Sequence, residues 1–214
     1  MNLRMPSLAL ACGLVLGACS NPTADKPKAT VDSPSTQTAP STQVASGPVR
    51  TFTFDGSGSK VEFVGSKLSG SHSGGFNAFT GRVELGSAGL ASAQLQVEID
   101  MTSTHSDHPK LTGHLKSPDF FDVEQFPTAT FVSRQVAGAD AGAFTVTGDL
   151  TLHGVTKTIS FPATASVDGN TLTTNAEFAI DRQQFDITYP GRPDDLIRDD
   201  VLIKLMINAT ASGA

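Results

Sequence analysis

His105, His108 and His114, with Asp107 among them, could supply the ligands of a metal site. Imidazole and carboxylate together suit zinc or copper. Their spacings do not match the helical pattern of two His four apart beside a Glu, so metal binding is one reading, set against solvated-loop and helix-capping roles. The capping role falls to Asp107, which precedes Pro109: a carboxylate there can accept helix amides, and Pro suits a first helical turn. Gly70-Ser71-His72-Ser73-Gly74 has the glycine spacing of a nucleophile elbow, but with His at its centre and in a polar glycine-rich turn that leads into no helix. Neither a Gly-x4-Gly-Lys nor a Gly-x-Gly-x2-Gly run occurs. No catalytic residue is therefore assigned, the chain is read as a non-enzyme, and no cofactor or bound metal is expected. A last charged set, Asp181-Arg182 and Arg198-Asp199-Asp200, brackets an irregular stretch holding Asp194 and Asp195. These groups either pair with one another to close that stretch on a rim, or Arg182 and Arg198 serve as candidate contacts for an anionic headgroup.

The elements that would position such groups emerge once the N-terminus is set aside. Arg4 precedes an apolar run over residues 7–18, too short to span a bilayer and of the length of a signal-peptide core. It ends in Leu16-Gly17-Ala18-Cys19, which resembles a bacterial lipobox. Residues 1–18 are thus expected to be a lipoprotein signal peptide, and Cys19 the lipidation site. Acyl chains there would hold the protein to a membrane at about 0.8 kcal/mol per buried methylene. Ser20 after the Cys, in place of Asp, suits outer-membrane delivery, so the expected location is the bacterial cell envelope, as an outer-membrane lipoprotein facing the periplasm. With Cys12 removed and Cys19 acylated, the mature chain has no disulfide or thiol chemistry. Residues 20–48 are rich in Pro, Ser and Thr, with only Val31 and Val44 as larger apolar side chains. They read as a disordered tether, with residues 44–49 the only candidate for an edge strand. Without Arg4 the chain carries 14 of its 15 basic residues against 21 acidic ones, and it has no Trp and one Tyr, which argues against a nucleic-acid partner.

Residues 49–214 form the expected domain, and period-two alternation dominates it. Leu95, Val97, Ile99 and Met101 fall on one face of residues 93–101, with Gln94, Gln96, Glu98 and Asp100 on the other. The pattern recurs over residues 144–152, 172–178 and 201–210, and in shorter runs at 51–54, 60–66, 81–85, 128–134 and 158–164. Turn residues separate these runs, Gly74-Gly75 and Asp168-Gly169-Asn170 among them. Eight or nine strands without crossover helices give an all-β, mainly antiparallel fold, either a closed barrel or a two-sheet sandwich. One helix is expected, over residues 109–117, where Leu111 and Leu115 lie four apart. It leads into residues 114–131, where Phe120, Phe121, Phe126 and Phe131 stand among acidic groups and two prolines that discourage one continuous helix. Helix and aromatic segment are read as a single cap at one end of the sheet.

Four segments in this order resemble the YceI-like family: His114 to Phe131, with its Leu-x-Ser-x-Asp-Phe-Phe-Asp core at residues 115–122, Gly148 to Lys157, Asp181 to Ile187, and Ile197 to Val201. Gly75-Phe76-Asn77-Ala78-Phe79-Thr80-Gly81 matches the family's glycine and phenylalanine turn. The resemblance runs from about Lys60 to the end and departs from the family pattern at Phe185-Asp186-Ile187 and Tyr189 to Pro193. It implies a lipocalin-like up-and-down β-barrel of about eight strands around a long isoprenoid or other lipid chain. Pocket-lining candidates under that implication are Phe63, Leu95, Val97, Ile99, Phe120 and Phe121, then Phe131, Val146, Leu150, Phe178 and Ile203. From the residues alone the same apolar faces serve equally well to fill a solid core.

The leading expectation is a membrane-tethered binding or carrier protein for an isoprenoid-like or other long-chain lipid, without turnover. Two alternatives stand beside it. One is a structural or stress-related envelope lipoprotein with a packed barrel and a protein partner; the other is metal binding through His105, His108 and His114.

Overall fold

A computed structural model describes residues 21–34, 49–138 and 142–212. The expected signal peptide, Cys19 and nearly all of the candidate edge segment at 44–49 lie outside the described residues. In chain order the elements are β1 (Thr30–Asp32), β2 (Arg50–Asp55), β3 (Lys60–Lys67), β4 (Gly70–Phe76), β5 (Phe79–Leu85), β6 (Gln94–Asp100) and β7 (Thr104–Ser106). Then come helix α1 (Pro109–Lys116), β8 (Thr128–Gly138), β9 (Ala143–Leu152), β10 (Val155–Asp168), β11 (Thr171–Asp181), β12 (Gly191–Arg192), β13 (Asp195–Leu196) and β14 (Asp200–Ala211).

Strands β2, β5, β6, β8, β9, β10, β11 and β14 close into an antiparallel ring, in which β14 returns to pair with β2. Closure removes the free edges that an open sheet would expose. It also decides between barrel and sandwich, which alternation alone leaves open. The first three walls are each broken once, and β3, β4 and β7 continue β2, β5 and β6 beyond the break. The register shows it: β14 pairs Thr210 with Thr53 but Met206 with Lys60, so three extra residues are looped out between β2 and β3. The loop is tight, because a Cβ on Gly56 would stand 2.4 Å from the Asn77 carbonyl oxygen. Neighbouring walls are joined in sequence order, as in a meander.

One end of the barrel carries α1 with residues 117–127, the β3–β4 hairpin tip, the β9–β10 turn and the long connection from β11 to β14. His153 and Gly154 make that turn with φ of 51° and 73°, the positive values that a tight hairpin turn requires at both central positions. Pro109 opens α1 as expected, but its N-cap is His108, with no side-chain cap. Asp107 instead reaches back to β4, where it meets His72 Nδ1 at 3.0 Å and accepts from the Ser73 amide at 3.0 Å.

Three further expectations need correction. Gly74-Gly75 is not a turn: both residues lie in β4, where Gly74 sits opposite Phe63. A Cβ on Gly74 would come within 2.5 Å of the Phe63 ring, so the glycine makes room for an aromatic. The Gly70–Gly74 run is likewise strand, which rules out a strand-to-helix elbow. The tether, finally, does not stay free over residues 21–34. Thr30, Val31 and Asp32 pair with Ser160, Ile159 and Thr158 of β10, and Ala29 is only 4% exposed. Composition missed this because the gain comes from backbone pairing and one small side chain, not from large apolar groups.

Candidate functional site

Each strand places alternate side chains inside the ring, and in this barrel they leave a void. A cavity of about 290 Å³ runs through the interior, lined from Leu115, Phe120 and Ile187 at the capped end to Leu90, Ala93 and Phe144 at the other. Among the described residues, Thr174 and Arg182 bring its only polar side chains. Phe63, Leu95, Val97, Ile99, Phe120, Phe121, Phe131, Val146, Leu150, Phe178 and Ile203 all line it, because period two fixes which face turns inward once the sheet closes.

Three rings lie against the wall instead of standing into the lumen. Phe63 covers Gly74, Phe54 covers Gly81 and Phe131 covers Gly148; a Cβ on these glycines would meet ring atoms at 2.5, 2.0 and 2.4 Å. Glycine in a strand costs backbone entropy, and here that cost leaves the ring a flat place to rest. An alanine at Gly81 would push the Phe54 ring toward the lumen.

The capped end is closed by aromatic contacts. Phe121 meets Phe63 at 6.1 Å and Phe76 at 6.0 Å, while Phe120 meets His114 at 4.9 Å and Tyr189 at 5.3 Å between ring centroids. Phe120 and Phe121 therefore face the cavity and form its ceiling. Phe126 instead lies over the β9–β10 turn, 4.7 Å from the His153 ring.

The connection from β11 to β14 completes the ceiling, and Arg182 holds it. The side chain is buried, at 5% exposure. Its Nε donates to the Arg198 carbonyl at 3.2 Å, Nη1 to Ile187 O at 2.6 Å, and Nη2 to Asp199 Oδ1 at 3.1 Å and to Ile197 O at 3.5 Å. Burial pulls its pKa below the ordinary value, opposed by Asp199 and Asp181. With four donor contacts already inside the protein, Arg182 is a staple for the connection, not the headgroup contact considered for it. Arg198 is half-buried; its amide donates to Ser66 O at 2.8 Å, and its Nε finds no partner among the described residues. The outer part of the connection is clasped to the β3–β4 tip, where Asp195 pairs with Lys67 and accepts from the Ser69 amide at 3.0 Å and hydroxyl at 2.7 Å. Lys67 first, and then the Ser69 hydroxyl, hold the Asp195 carboxyl down at about 2.

His105, His108 and His114 do not converge. His105 lies in β7 opposite Gly75, and His114 pairs through Nε2 with Asp119 at 2.8 Å. No group of three or more His, Cys, Asp or Glu able to hold a metal ion occurs among the described residues.

Sequence reasoning missed Phe161, Phe185 and Phe54 in the lining. The signal was present for Phe161, which alternates with Ile159 and Ala163 along β10. For Phe185 it was absent, because that ring is turned inward by a short 3₁₀ turn, Arg182–Phe185, whose end at Asp186 has φ 57°.

A closed eight-stranded meander around an apolar cavity, roofed by a helix and aromatic side chains, defines a lipocalin-like barrel. Residues 52–209 match the model of the YceI-like domain, and the chain belongs to that family. It is 40% identical over 97 residues to a UPF0312 protein of Vibrio parahaemolyticus, covering 45% of this chain and 51% of that protein. The chain thus spans about half the length of that relative. To a UPF0312 protein of Pseudomonas putida it is 33% identical over 137 residues, covering 61% of this chain and 71% of the relative. Among solved structures, Burkholderia cenocepacia BcnA superposes with a TM-score of 0.66 at 29% identity, over 73% of this chain and 99% of BcnA. A polyisoprenoid binding domain from Saccharophagus degradans, implicated in plant cell wall breakdown, shares the fold with a TM-score of 0.61 at 17% identity, over 77% of this chain and all of that domain.

Proposed function

We propose that the protein binds and carries one long-chain apolar lipid, isoprenoid-like or fatty-acyl, inside the barrel, without chemical turnover. The observation that carries this reading is the lining: an interior lumen that is apolar but for the Thr174 hydroxyl and Arg182, whose guanidinium is already engaged. Such a site selects by burial and shape, at about 25 cal/mol per Å² of apolar surface removed from water. Family membership and the polyisoprenoid-binding domain of like fold support it. A packed structural barrel is disfavoured by the void itself. We further propose that the chain reaches the cell envelope as a lipoprotein anchored through Cys19, with its barrel on the periplasmic side of the outer membrane.

Native mass spectrometry of the purified full chain, with extraction of bound lipid, tests the first proposal. A stoichiometric apolar ligand is expected; a protein that emerges empty and also fails to take up all-trans-retinol, a fluorescent isoprenoid alcohol, would overturn it. Ala176→Trp, which places an indole in the lumen, should weaken retinol binding at least tenfold in protein that remains folded by circular dichroism. Cys19→Ser should abolish acyl-lipid labelling in cells, and persistent labelling would refute the anchor.

A further inference from the structure

The barrel wall has a window between β10 and β11. Strands β10 and β11 pair only from Thr164↔Asn175 to Asp168↔Thr171. Beyond Thr164 and Asn175 they part, β10 remaining on β9 and β11 on β14. At the capped end the gap is closed again by the 3₁₀ turn after β11, where the Phe185 carbonyl contacts His153 Nδ1 at 3.1 Å. Residues 27–32 fill the space between. On one side β1 pairs antiparallel with β10. On the other, the Ala29 amide donates to Ala179 O at 2.9 Å and the Ala179 amide to Pro27 O at 2.8 Å. The segment thus serves as a ninth stave, supplied from outside the ring.

The stave is lightly held. Its buried apolar contribution is Ala29, with Val31 partly buried beside it. Its side-chain latches are two ion pairs: Lys26 with Glu177 at 2.5 Å, partly exposed and of a kind worth little in water, and Lys28 with Asp200 at 2.5 Å, whose Oδ1 is itself buried and has no other partner among the described residues. Directly behind it, Phe161 of β10 and Phe178 of β11 stack across the gap at 4.2 Å with 12° between ring planes. Both rings also line the cavity. Outside to inside, the order is polar stave, two stacked rings, apolar lumen.

We infer that the β10–β11 window is the portal through which the carried chain enters and leaves, and that residues 26–32 are its removable closure. This rests on the carrier reading above. Displacement of the stave uncovers the stacked rings, which can part by side-chain rotation while the β9–β10 and β11–β14 ladders stay intact. The chain-like ligand then slides in sideways, and the Arg182-stapled ceiling is never unfolded.

The test uses the full chain with Cys12→Ser and Cys19→Ser, adding Thr30→Cys and Ser160→Cys, a directly paired cross-strand couple. Oxidation locks the stave and reduction frees it. Stopped-flow uptake and release of all-trans-retinol should both slow at least tenfold on oxidation, with affinity unchanged within twofold. Equal rates in the two states would overturn the portal and leave the carrier reading standing. Lys26→Ala with Lys28→Ala should speed both rates at least threefold, which keeps the inference falsifiable if the disulfide variant misfolds. Amide hydrogen exchange reads the stave without any ligand: the Ala29 and Ala179 amides should exchange together, at least 100-fold faster than the Phe161 amide. Exchange as slow as the barrel's would overturn the removable stave whatever retinol does. A chain that opens in this way but takes up no retinol would refute the carrier reading instead.

Discussion

Two closures over one lumen differ in how they are made. The ceiling between β11 and β14 is stitched by a buried guanidinium, and clasped outside by Asp195 to Lys67 and Ser69. The β10–β11 stave rests on a few backbone bonds, one small buried side chain and two ion pairs that each involve a single lysine reaching in from solvent. Removing a charge from a buried network strands several partners at once, whereas removing one such lysine strands at most one carboxylate. The ceiling is therefore built to stay and the stave to move.

The comparison is most exposed to Arg182→Ala. It leaves the Ile187, Ile197 and Arg198 carbonyls short of a donor and should cost about 3 kcal/mol in urea unfolding; a loss below about 1 kcal/mol would put the two closures on a par. Ala29→Leu is expected to cost only about 1 kcal/mol, although overpacking elsewhere in a core costs up to about 3 kcal/mol. Here the chain can release the stave instead of straining, and limited proteolysis should cut near residue 29 in the variant and not in the parent.

Acid should separate the closures further. Because the folded Asp195 carboxyl titrates at about 2, below its unfolded value of about 3.9, the clasp contributes fully above pH 4 and is lost as pH falls toward 2. Asp195→Asn should flatten that part of the stability profile, and an unchanged profile would remove the clasp from the ceiling. The smallest effect belongs to Lys26→Ala, about 0.5 kcal/mol at low ionic strength and vanishing at 1 M salt, read as the midpoint of thermal unfolding.

Legibility in the sequence followed the same division. Walls that alternate large apolar with polar residues, such as β6 and β14, could be read outright, whereas the eleven cavity-lining candidates came from the family resemblance, because an inward apolar face looks the same whether it fills a core or lines a void. Where the wall is made by glycine beneath a ring, as in β4, the inward residue vanishes from the pattern, and Gly74 reads as a turn. Arg182 looks the same on a rim as in a ceiling, since only the folded connection brings four acceptors to one guanidinium. The stave was invisible because residues 27–32 contribute backbone to someone else's ladder, and composition does not report that.

The stave also has a mechanical meaning. Docked, it fixes the chain at Asn21, two residues from Cys19, so a lipid anchor at that cysteine would hold the barrel within about 7 Å of its attachment point. Released, the leash runs from Cys19 to Arg50, about 100 Å at full stretch and roughly 30 Å on average. Opening the window and standing the barrel off the bilayer would then be one event, so that loading state and height above the membrane change together.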